Sequence, residues 1–93
     1  MAHGVLIIED ETVLAKNIRL YLERAGYEAR TAESAEDGLM QVEKFKPDII
    51  VLDYQLPGRN GLEFLADITR REPGIPVVML TGQASVDMAV EAM

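Results

Sequence analysis

Acidic side chains gather at two places where a short apolar run ends. Glu9, Asp10 and Glu11 follow Val5-Leu6-Ile7-Ile8, and Asp53 follows Ile49-Ile50-Val51-Leu52. A further apolar run, Ile75 to Leu80, ends at the hydroxyl of Thr81, with Gly82 behind it. Carboxylates brought close together repel, which raises their pKa values unless a cation sits among them. Oxygen donors without histidine or cysteine suit a hard ion, Mg²⁺ ahead of Zn²⁺. In such a site Asp53 could act as nucleophile and form an acyl phosphate, with Thr81 and nearby N–H groups binding the phosphoryl oxygens. Gly82 lets the backbone approach without a Cβ in the way.

Taken one at a time, these residues have plainer readings. The acidic triplet could be a solvated loop before a helix, Asp53 a turn residue, Thr81 the start of a turn and Ser85 a helix cap. His3 lies near the terminus and reads as inert, and Met40, Met79, Met88 and Met93 read as core filler. What the plain readings leave unexplained is that the acids and the threonine all fall at the ends of strand-like runs.

The elements that must position them alternate. Val5 to Ile8 is a β-type run, and Leu14, Ile18, Tyr21, Leu22 and Ala25 follow at helical spacing, with Gly26 as a C′ stop. Tyr27 to Ala32 reads as a weaker strand near an edge, interrupted by Glu28 and Arg30. Ser34 is an N-cap with Asp37 three residues on, and Leu39, Val42 and Phe45 face inward before Pro47. Ile49 to Leu52 lacks polar alternation, as a central parallel strand covered on both faces should. The turn-rich stretch Leu56 to Gly61 leads into Leu62, Leu65, Ala66 and Thr69 at helical spacing. Pro73-Gly74 breaks that helix, and Ile75 to Leu80 is the next strand, with Pro76 tolerated at its start. Val86, Ala89, Val90 and Met93 begin a last helix. This β-α alternation predicts a doubly wound parallel α/β sheet, in which ligands collect beyond the carboxyl ends of the strands.

Composition narrows the field. Ninety-three residues make one domain, and 48% hydrophobic residues can build a core without staples. The absence of cysteine excludes disulfides, zinc–thiolate sites and cysteine nucleophiles. No apolar run is long enough to span a membrane, and no basic stretch with an apolar h-region marks an export signal. A net charge of −7 repels phosphate backbones and anionic lipids, so direct nucleic-acid binding is not expected.

Together the residues resemble the receiver domains of two-component response regulators. The match is carried by Val5 to Glu11, Pro47-Asp48 to Asp53, Leu56-Pro57-Gly58 with Gly61, and Pro76 to Gly82. The resemblance implies a flavodoxin-like sheet of strand order 2-1-3-4 and a cytoplasmic signalling module. It also implies roles. Asp53 would accept a phosphoryl group from a histidine kinase, Asp10 would bind Mg²⁺ directly, Glu9 would act through a metal-bound water, and Gln55 would offer its backbone carbonyl. Thr81 would hydrogen-bond the phosphoryl group, and the backbone of Gln55 and Gly82 would help hold it. The stretch Thr81 to Ser85 looks most like receivers of bacterial enhancer-binding transcription activators, so the expected output domain is transcriptional.

One departure stands out at the end of the chain. Family members continue with the rest of the fourth helix, then a fifth strand ending in a lysine, and a fifth helix. The expectation is therefore a receiver domain over residues 1–93 that is incomplete at its C-terminus, lacking roughly 20 residues or more by the length of a β–α unit. None of Lys16, Lys44 or Lys46 is placed to replace that lysine. An uncovered apolar strand over Pro76 to Leu80 predicts self-association or exchange of elements between chains. Two other functions remain open: an interaction fragment that works without phosphorylation, and a metal-dependent phosphohydrolase. Gln55 argues against the second, since a proton-donating acid two residues past the nucleophile is the common pattern there.

Overall fold

Every residue from Gly4 to Ile8 is buried, which only a strand flanked on both edges and covered on both faces achieves. The computed structural model describes residues 3–53, 55–56 and 59–80. Its elements are β1 (Gly4–Ile8), α1 (Thr12–Arg24), β2 (Glu28–Ala32), α2 (Ala35–Phe45), β3 (Ile49–Asp53), β4 (Gln55–Leu56), β5 (Arg59–Asn60), α3 (Gly61–Arg71) and β6 (Val77–Leu80). Four strands form one parallel sheet in the order β2-β1-β3-β6, so the expected 2-1-3-4 order holds and β2 lies at an edge.

Strand alternation splits the core in two. Leu6, Ile8, Ile50 and Leu52 face α2 and α3, where Ala35, Val42, Phe64 and Ile68 close over them. Val5, Ile7 and Val51 face the other way, onto Ile18 and Leu22 of α1. The sheet is therefore covered on both sides, as its continuous apolar strands require.

Helix ends follow local chemistry. Ser34 Oγ accepts the Asp37 N–H at 3.2 Å, and the Asp37 carboxylate accepts the Glu33 N–H at 3.4 Å, a capping box displaced by one residue. At the end of α1, Gly26 N–H donates to Glu23 O and Tyr27 N–H to Leu22 O, the paired bonds of a Schellman motif. Gly26 has φ +97, and nothing lies within 4 Å of where its Cβ would be. Gly26→Ala should therefore lower stability by about 1 kcal/mol through backbone strain alone, without a clash. A shift of the urea midpoint at unchanged m-value is the measurement.

Asp48 does unforeseen work at the amino end of the sheet. Its Oδ2 accepts the Gly4 N–H at 2.7 Å while its own N–H donates to Gly4 O at 2.8 Å, tying the start of β3 to β1. His3 sits 3.6 Å from the same carboxylate, both side chains being largely exposed.

Several inward assignments change. Tyr21 on α1, Ala25 at its C-cap and Met40 on α2 are exposed. On α3 the buried residues are Gly61, Phe64 and Ile68, with Leu65 half-buried. Leu62, Ala66 and Thr69 face out. Both stripes have helical spacing, and they differ by a 100° rotation that the sequence pattern alone does not decide. The turn-rich stretch after β3 contains a short antiparallel pair, Gln55↔Asn60 and Leu56↔Arg59. The last strand begins at Val77, two residues later than expected. The expected final helix from Val86 to Met93, with Met88 and Ser85, lies outside the described residues.

Candidate metal centre

β1 and β3 run parallel in a register that pairs Ile8 with Leu52. One residue further along, Glu9 leaves β1 beside Asp53, the last residue of β3. Asp10 follows, and one oxygen from each of Glu9, Asp10 and Asp53 lies within 4.8 Å of the others. No remote segment has to fold over to make this cluster, since parallel pairing of two apolar strands brings their polar ends together.

The three acids differ in setting. Glu9 is only 5% exposed, Asp53 is half-buried and Asp10 is open to water. The Glu9 backbone N–H donates to Ala32 O at 2.9 Å, so edge strand β2 anchors the residue. Its carboxylate accepts the Glu11 N–H at 3.4 Å. Burial pushes the Glu9 carboxyl up to about 8, and hydrogen bonds to Asp53 and Asp10 with the Asp53 charge push the same way; the Glu11 N–H opposes them. Near neutral pH the metal-free cluster therefore relieves its repulsion by keeping a proton on Glu9. α1 begins just beyond, with no acid in its first turn and no side-chain cap. Its positive end lies next to the triplet and offsets part of the crowding.

The donor set fits a hard divalent cation: three carboxylates and no nitrogen or sulfur ligand in the cluster. An ion there would do the work the Glu9 proton does without it.

Glu9, Asp10 and Asp53 thus converge as expected. Gln55 lies two residues beyond Asp53 in the backbone of the short hairpin. Leu80 is the register partner of Asp53, so β6 brings the chain alongside that carboxylate. Thr81 and Gly82 lie outside the described residues. Lys44 and Lys46 close α2 at the amino end of β3, the opposite end of that strand from Asp53. The supports from Ala32 O and Glu11 N–H were not foreseen. The only signal for the first is strand order, since a residue just past β1 pairs with whatever β2 ends on.

Residues 5–93 match the family model for the response regulator receiver domain. The chain is 40% identical over 95 aligned positions to the nitrogen assimilation regulatory protein NtrX of Azorhizobium caulinodans, covering 100% of this chain and 21% of that protein. It is 35% identical to the phosphate regulon transcriptional regulatory protein PhoB of Pseudomonas aeruginosa over 96% of this chain and 40% of that one. The chain thus spans about a fifth to two-fifths of the curated relatives it matches. Among solved structures, NtrX from Brucella abortus superposes with a TM-score of 0.84 at 33% identity, over 99% of this chain and 21% of that one. A CheY-like receiver domain protein from Methanospirillum hungatei superposes with a TM-score of 0.82 at 25% identity, over 99% of this chain and 76% of that one. Sheet order, the acid cluster at the strand ends and these matches agree, and the chain belongs to the response regulator receiver domains, the regulatory phosphoacceptor modules of two-component signalling.

Proposed function

We propose that Asp53 of this chain accepts a phosphoryl group from a histidine kinase in a Mg²⁺-dependent reaction, and that the phosphorylated state regulates an attached output domain. The observation that carries this reading is the convergence of Glu9, Asp10 and Asp53 within 4.8 Å at the carboxyl ends of β1 and β3. An Asp53 oxygen attacks the phosphorus of a phosphohistidine; the O–P bond forms, the P–N bond breaks with its electron pair going to the ring nitrogen, and the imidazole, already protonated on its other nitrogen, leaves neutral. Asp10 and Asp53 would hold the ion directly, Glu9 through a water, and Gln55 by its backbone carbonyl. When bound, Mg²⁺ supplies charge neutralisation for the phosphoryl oxygens. The Thr81 hydroxyl and the backbone N–H groups of Gln55 and Gly82 would bind those oxygens.

The output is transcriptional in this reading, as the names of relatives such as the transcriptional regulatory protein PhoB indicate for those proteins. The likeness of Thr81 to Ser85 to enhancer-binding activators supports that subclass. With a net charge of −7, DNA contact falls to the output domain rather than to this segment. No described helix is long and apolar enough to cross a membrane, in keeping with a cytoplasmic module. Incubation with Mg²⁺ and a phosphohistidine donor should add one phosphoryl group, removable by hydroxylamine and absent when EDTA is present. A label that survives hydroxylamine, or that forms equally without the ion, counts against the proposal.

Metal binding should be proton-linked. Glu9 holds its proton up to about pH 8 in the folded metal-free chain but ionises near 4.5 when unfolded. As pH rises between those values the folded state keeps a proton that the unfolded state has lost, so the Glu9 contribution to stability falls and levels off above 8. For the same reason Mg²⁺ affinity should climb as pH approaches 8, with proton release on binding. Calorimetry in buffers of different protonation enthalpy measures that release, and Glu9→Gln should abolish it.

A second property has its own observation. Among the described residues, β6 pairs with β3 along one edge only, and Val77, Val78 and Met79 are half-exposed. Such an edge templates pairing with another strand, so we infer self-association of this chain through Val77–Leu80. Light scattering should show dimers or larger species whose proportion rises with concentration; a strict monomer would remove the idea.

A further inference from the structure

At one point α2 approaches the end of β1 so closely that a side chain has no room. A Cβ built on Gly38 would lie 2.7 Å from Ile8 Cδ1 and 3.2 Å from Ile8 Cγ1, with Phe64 Cζ at 3.4 Å. Ile8 and Phe64 are both fully buried in one core. Interiors are packed without spare voids, so the Ile8 methyl has little room to swing away, and Phe64 Cζ closes in on the same added Cβ. Glycine inside a helix is a poor helix former, and space for a methyl group would remove any need for it. Ile8 is the last residue of β1, directly before Glu9 and Asp10.

We propose that Gly38 is a positioning residue for the acid cluster: by carrying no side chain it lets Ile8 seat fully against α2, and so sets where Glu9 and Asp10 stand relative to Asp53. This rests on the metal-site reading given above. Gly38 acts only through Ile8. Displacing Ile8 drags the residues that follow it, and Mg²⁺ tolerates little departure from octahedral geometry.

Two substitutions and their combination test it, with Mg²⁺ affinity as the readout. Gly38→Ala should weaken Mg²⁺ binding by roughly tenfold, the scale of losing an outer support of a metal site. Ile8→Val removes the Cδ1 methyl that collides, so the double variant Gly38→Ala/Ile8→Val should recover most of that affinity while restoring neither original residue. Unchanged affinity in a folded Gly38→Ala variant, or no recovery in the double variant, overturns the proposal. Should Gly38→Ala fail to fold, a folded double variant with normal affinity supports the pairing and one with weakened affinity overturns it. If the unsubstituted chain binds no Mg²⁺, the metal-site reading and this inference fall together. Normal binding by the unsubstituted chain with no change in Gly38→Ala removes this inference alone.

Discussion

Replacing Asp53 with asparagine should reduce phosphoryl incorporation to background. The carboxamide keeps nearly the shape of the carboxylate but lacks the anionic oxygen that the proposed attack on phosphorus requires. It also deletes a charge from a crowded cluster. Both the hydrogen bond and the charge of Asp53 help raise the Glu9 pKa, so Glu9 in the variant should ionise at lower pH than in the unsubstituted chain. With less repulsion to contain, the variant should be at least as stable as the original. Loss of label then reports chemistry and not unfolding, and a urea titration run beside the labelling experiment separates the two. Mg²⁺ affinity should fall as well, because one of the three clustered carboxylates is gone. Full labelling of Asp53→Asn, followed by mapping to another acid of the cluster, would show that the acceptor has been misassigned.

The largest loss of stability should come from Phe64→Ala. Phe64 is fully buried, sits on the inner face of α3, and belongs to the core formed with Leu6, Ile8, Ile50 and Leu52. Removing a ring from such a site costs about 3–5 kcal/mol, the transfer term plus the cavity left behind. Against a total of about 5–15 kcal/mol for a typical domain, that loss leaves the chain marginal or unfolded at room temperature. Leu62 provides the control. It lies two residues away on the same helix but is 51% exposed, so Leu62→Ala should shift stability by no more than about 0.5 kcal/mol. Equal losses from the two variants in urea unfolding would mean that α3 is rotated relative to the face described above.

That pair marks where sequence pattern stops being informative. From Leu62 to Thr69 the apolar positions satisfy helical spacing whether the stripe runs through Leu62, Leu65, Ala66 and Thr69 or through Gly61, Phe64 and Ile68. Choosing between them requires knowing which face the sheet covers, and that depends on residues far away in the chain. Tyr21 and Met40 went the same way: each adjoins an inward stripe, and each is exposed because the sheet covers a narrower strip than the pattern allows.

The site was more legible than the helix faces. Short apolar runs ending in acids, alternating with helical segments, predict parallel strands whose polar ends share one rim. The structure brings Glu9, Asp10 and Asp53 together there. That much the sequence determined alone, because parallel register aligns strand ends with no further information and because an apolar strand can be buried in only a few ways. Only the tertiary structure decided that Glu9 is buried and holds a proton to about pH 8 while Asp10, its neighbour, faces water. It alone revealed that Ala32 anchors Glu9 and that Gly38 makes room for Ile8. Burial, pKa and close contact are sums over neighbours brought together from distant parts of the chain, whereas strand ends and their residue types are local facts.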